Sequence, residues 1–233
     1  MTEKEWLKSN EPGQLLGNLG RIQSKRKRRL FGCACCRRIW PLLPDERCRS
    51  AVVTAEQFAD GEVGSEELTR AKVEAKASSE EDRGPIYTDR WAAGACYCAA
   101  FANAGDAAKA WHSATSAQQM NALTHRGGSG GRRDSAIMTE VWNQELPAQV
   151  ALLRDIFGNP FRPVSLDPAW LTSDVLALAR GIYDERAFDR MPILADALQD
   201  AGCDSDDILN HLRDATATHV RGCWALDLVL GKE

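Results

Sequence analysis

Apolar residues along the chain recur at steps of three and four, and no segment alternates in strand fashion over five or more positions, so the pattern predicts an all-α protein. Thr2 and Glu5 have capping-box spacing ahead of Trp6 and Leu7, which opens a short helix that Pro12-Gly13 should end. A second short helix is expected at about 14–22. Ser24 then caps a run in which Leu30, Phe31, Ala34, Cys35, Ile39 and Leu42 or Leu43 form a stripe buried on one side, with Pro41 breaking or kinking its end. Asp45 caps a helix with the stripe Ala51, Val52, Ala55 and Phe58, stopped by Asp60-Gly61, and a surface helix starts at Ser65. The polar stretch 77–87, with its Gly-Pro turn, reads as a loop. Thr88 and Asp106 cap two alanine-rich helices over 89–103 and 107–123, a composition that favours helix and close helix approach. The segment 126–135, RGGSGGRRDS, is the most flexible part by composition. From Asp134 or Ser135 a helix runs through Val141, Leu146, Val150, Leu153 and Ile156, with Pro147 dividing it.

The text changes at 153–164, LRDIFGNPFRPV, where Gly158-Asn159-Pro160 ends the helix and Pro163 turns the chain again. Beyond this hinge, Asp167-Pro168-Ala169-Trp170 reads as a single turn, Thr172 or Ser173 caps one helix, Pro192 opens a second, Ser205 caps a third, and a fourth spans 219–230 with Gly231 as its cap. The expected organisation is an irregular multi-helix array: an N-terminal helical region at 1–157 containing the loop 126–135, a hinge at 158–166, and a C-terminal three- to four-helix unit at 167–233.

With 233 residues, 44% hydrophobic and 27% charged, the chain can bury a sizeable core without disulfides or metal. No secretory signal and no membrane-length apolar run is found, so the expected location is the cytoplasm, where the eight cysteines stay reduced. The net charge of −4 conceals an asymmetry: residues 1–44 carry ten basic side chains against three acids, leaving the remainder at −11.

Four features bear on chemistry. Lys25, Arg26, Arg29, Arg37 and Arg38 cluster on one predicted helix beside Phe31 and Trp40, a set that could bind nucleic acid or another anion, although consecutive basic residues wrap round a helix and better suit a solvated helix start paired with the acidic remainder. Cys33, Cys35, Cys36, Cys96 and Cys98 include a C-x-x-C spacing, but they lie in alanine-rich helical text and read as small buried thiols rather than a zinc knuckle or redox pair. Cys203, His211, His219 and Cys223 fall within 21 residues, and His219 and Cys223, four apart, would share a helix face, which makes a Cys2His2 zinc site conceivable against the alternative of a core thiol and two helix-end histidines. The glycines at 127–131 lack the Gly-Lys-Ser/Thr ending of a phosphate loop and read as a linker. No catalytic motif accompanies the acidic residues of the C-terminal part.

The opening MTEKEWL, the segment RRLFGCACCRRIWPLLPDERCRSAV, the hinge LRDIFGNPFRPV with DPAWLT, the text MPILADALQDAGCDSDDILNHL and the ending HVRGCWALDLVLGK together resemble an uncharacterised helical protein family of planctomycete bacteria. The resemblance covers both ends and the hinge and implies no activity, cofactor or site residue.

Ordered helices without a catalytic constellation suggest a non-enzymatic interaction or regulatory module with a protein partner and no membrane association. Nucleic-acid binding through residues 25–38, and a metal-dependent enzyme using the Cys203, His211, His219 and Cys223 set with zinc as cofactor, are the alternatives.

Overall fold

A computed structural model describes residues 1–19, 24–80, 87–99, 104–126 and 132–232. These form α-helices and short 3₁₀ turns, with no strand among the described residues. The chain divides into a central unit, Lys8–Val150, and a terminal unit built from Met1–Leu7 and Ala151–Glu233. The division thus falls at Val150–Ala151, within a helix, rather than at 158–166, and the first residues group with the C-terminal part. The reason is polar as well as apolar. Arg154 donates to the carbonyls of Trp6 and Leu7 at 2.7 and 2.9 Å, Asn159 donates to Glu3 at 2.8 Å, and Trp6 is buried. The capping box that starts helix α1 (Glu3–Lys8) is formed, with the Thr2 amide donating to Glu5 and the Glu5 amide to Thr2.

In the central unit Pro12 opens helix α2 (Pro12–Asn18) as its first residue, where its missing N–H costs nothing, instead of simply ending α1. The expected end of that helix, at 20–22, lies outside the described residues. Helix α3 (Lys25–Arg38) begins at Ser24, whose hydroxyl accepts from the Lys27 amide. Every residue from Arg29 to Cys36 is buried, so α3 is enclosed on all sides rather than on one. It packs against helices α4 (Glu46–Ala59), α6 (Tyr87–Ala99) and α7 (Ala104–Arg126), and α5 (Ser65–Glu80) packs on α4 and α6. Buried alanines of α6 and α7 let these helices approach α3 closely, and Cys33, Cys35, Cys36, Cys48 and Cys96 fill the same core. The expected loop at 77–87 is helical through Glu80, and the segments 81–86, 100–103 and 127–131, the last with its glycine run, lie outside the described residues.

Gly32 marks a tight approach between helices. A Cβ there would stand 3.0 Å from the Cα of Ala99, a backbone atom that cannot swing aside. Gly32→Ala gains at most about 1 kcal/mol of helix propensity, against about 1–3 kcal/mol for overpacking a tight core. The variant is therefore expected to be destabilised, seen as a lower denaturation midpoint at unchanged slope.

Helix α8 (Arg132–Phe157) runs unbroken through Pro147, which was expected to divide it. One lost N–H bond is offset by the buried stripe on either side of it, Val141, Leu146, Val150 and Leu153. Gly158, at φ +64, ends the helix in a conformation that only glycine adopts cheaply.

In the terminal unit Asp167 caps a 3₁₀ turn at Pro168–Trp170 and Thr172 caps helix α9 (Ser173–Glu185), as their sequences suggest. Helices α10 (Met191–Asp200), α11 (Asp206–Arg213) and α12 (Trp224–Leu230) follow. Their buried faces share one core with α9, including Ile182, Leu194, Leu198, Ile208, Leu212 and Leu226. Each such side chain contributes about 1.5–3 kcal/mol by leaving water. No described helix is long and apolar enough to cross a membrane.

Candidate metal centre

Helix α12 begins at Trp224, not at 219, so His219 and Cys223 do not share a helix face. Two turns bring them together instead. The Asp214 carboxylate accepts from the Thr216 amide and hydroxyl at 2.9 and 2.6 Å, which bends the chain just after α11. Cys223 N–H then donates to the Val220 carbonyl at 2.9 Å across a turn whose third residue, Gly222, has φ +93. A turn of that kind requires a positive φ at its third position, which is why the text reads Val-Arg-Gly-Cys. It returns Cys223 to within 3.8 Å of the Nδ1 of His219. His211 is supplied by the last turn of α11.

The fourth member comes from the last turns of α8. Asp155 Oδ1 lies 2.8 Å from His219 Nδ1 and 3.2 Å from His211 Nε2, while His211 Nε2 lies 3.2 Å from Cys223 Sγ. One ligand atom each from Asp155, His211, His219 and Cys223 falls within 4.8 Å of all the others. A tetrahedral ion with bonds of 2.0–2.3 Å has donor–donor edges of about 3.3–3.8 Å. The shortest edge needs to open by about half an ångström to admit such an ion, a side-chain adjustment. Asp155 Oδ2 is occupied, accepting from the Val220 amide at 2.9 Å, so that Oδ1 alone faces the other three donors.

Asp155 and Cys223 are 4% and 0% exposed. Burial by itself raises the Asp155 carboxyl, but hydrogen bonds from His211 and His219 outweigh it and hold the group below its ordinary value. Burial, then the neighbouring Asp155 charge, pushes the Cys223 thiol well up, while the amides of Leu226 and Ala225 at the start of α12 pull the other way. A carboxylate, two imidazoles and a thiol converging in a buried place are a donor set that one divalent ion could engage together.

The other predicted residues are placed elsewhere. Cys203 is not in the group. Its amide closes α10 by donating to the Leu198 carbonyl at 2.9 Å, and its side chain belongs to the apolar core of the terminal unit. The basic residues mostly face internal partners: Arg26 pairs with Asp60 at 2.9 Å, Arg37 with Glu56 at 2.7 Å and Arg38 with Glu145 at 2.8 Å. Arg29 is buried with its guanidinium 4.6 Å from the Phe58 ring centre, and Lys25 is exposed. The acidic remainder is therefore the neighbour of this helix, which leaves a much smaller cationic face than the sequence suggests. Cys33, Cys35, Cys36, Cys96 and Cys98 join no group of three or more metal-binding side chains among the described residues.

Sequence reading missed Asp155. The available signal was its position: Leu152, Leu153 and Ile156 are buried, and an acid three residues after Leu152 stands on the buried face of α8, where an unpaired charge is costly. Comparisons with protein-family models, curated proteins and solved structures return no match.

Proposed function

We propose that the chain is a zinc-binding helical protein, a non-enzymatic interaction or regulatory module whose terminal unit is clasped by an ion on Asp155, His211, His219 and Cys223. The observation that carries this reading is the convergence of four donor atoms within 4.8 Å in a nearly closed setting. Two imidazoles, one thiolate and one carboxylate suit zinc in preference to magnesium or calcium, which take oxygen ligands. Four protein donors complete a tetrahedron, the arrangement of structural sites, and a catalytic site would keep one position open. The second oxygen of Asp155 is held by the Val220 amide, which disfavours its leaving to admit substrate. The ion would tie the end of α8, the end of α11 and the start of α12 into one piece, giving a small unit a rigid surface for a protein partner.

Elemental mass spectrometry on untagged protein purified without chelator is expected to give about one zinc per chain. The double variant His219→Ala with Cys223→Ala is expected to carry none. A folded wild-type protein free of metal would overturn the centre, and turnover by the zinc-loaded protein on a panel of esters, amides and phosphodiesters would overturn the non-enzymatic part.

A further inference from the structure

Gly158 and Trp224 pack together beside the centre. The indole of Trp224 packs on the ring of His211, their centroids 4.9 Å apart and planes at 43°. The same imidazole also meets the ring of His219, edge-on at 4.9 Å. His211 is the most exposed of the four donors, its side chain 19% accessible, and so has the greatest freedom to swing out. Trp224 limits that freedom.

The indole has its own seat. A Cβ on Gly158 would come 3.1 Å from Trp224 Cγ and 3.4 Å from Cδ1 and Cδ2, and the residue's φ of +64 disfavours any side chain. Gly158 follows Asp155 by one turn on the same segment, and Trp224 follows Cys223 directly. Each ligand-bearing segment thus carries, beside its ligand, one half of the fit that holds a third ligand.

Resting on the zinc reading above, we infer that Trp224 is a positioning residue for His211, and that Gly158 serves the centre by leaving room for the indole. Its role is to hold an imidazole at the angle the ion needs, which is what surrounding groups do for ligands in metal sites generally.

The test uses the full chain with zinc affinity measured by competition against a chromophoric chelator, and with cobalt(II) substituted to read the ligand field in the visible spectrum. Trp224→Leu is expected to weaken zinc by about 10-fold or more and to alter the cobalt bands, while Trp224→Phe, which keeps an aromatic face, restores most of both. Gly158→Ala should act like Trp224→Leu although it touches neither ligand nor ion. Wild-type affinity and an unchanged cobalt spectrum in Trp224→Leu and Gly158→Ala would overturn this inference while leaving the centre intact. Should Trp224→Leu fail to fold, equal affinity and spectra in Gly158→Ala and wild type overturn it on their own. Absence of zinc or cobalt binding by the wild type itself would instead remove the centre.

Discussion

Asp155→Ala is expected to empty the centre and to lower the stability of the terminal unit by about 3–5 kcal/mol, the usual cost of removing one partner from a buried charged set. The substitution takes away the acceptor shared by His219 and His211 and leaves the Val220 amide without a partner. Asp155→Asn keeps the shape and an acceptor for that amide but not the charge, so it should fall between wild type and alanine. Chemical denaturation followed by far-ultraviolet circular dichroism, with zinc content measured on the same samples, separates these cases. The pH dependence has a definite sign in metal-free protein. Because the folded-state pKa of Asp155 is lowered from 3.8, its contribution is fully present above that value and is lost as the pH falls through the lower folded value. The wild type should therefore lose stability relative to Asp155→Asn on acidification below about pH 4. Equal stability of wild type and Asp155→Ala at neutral pH would show that the carboxylate is a bystander.

Chelation of the wild-type protein should produce the second large effect. An ion present at about a thousand times its dissociation constant stabilises the state that binds it by about 4 kcal/mol. For a folding unit of about 90 residues, each kcal/mol moves the midpoint by about 4–8 °C, so a high-affinity chelator is expected to lower the melting of the terminal unit by roughly 15–30 °C. The central unit has no comparable group of donors among its described residues and should melt at an unchanged temperature. Differential scanning calorimetry with and without chelator reads both transitions. Superimposable scans would contradict a structural ion.

Much of the fold was legible because helix ends are local events. Thr2, Ser24, Asp45 and Thr172 each accept from an amide three residues on, and each was readable from short-range spacing. What was not legible depends on partners far along the chain. Arg38 and Glu145 are 107 residues apart, so the basic run looked available for an external anion when its charges were largely matched. Periodicity carried the last helix back to 219, because apolar spacing does not register the positive φ of Gly222 that stops it. Within the candidate centre, His211, His219 and Cys223 could be named from their proximity in sequence. Asp155 stands 56 residues before the nearest of them and could be found only as a charge on an apolar stripe, and Cys203, close in sequence, was spent on packing.

The grouping of Met1–Leu7 with Ala151–Glu233 also sets an order of events during synthesis. Trp6 is made about 140 residues before the rest of its unit, the residues of the central unit lying between. The central unit can collapse on its own contacts while Trp6 waits without its cavity. Bringing the two ends of so long an insertion together costs loop entropy that grows only logarithmically with its length, and a central unit already folded shortens the effective loop further. During synthesis Trp6 therefore stays exposed until the segment that follows Ala151 has been made.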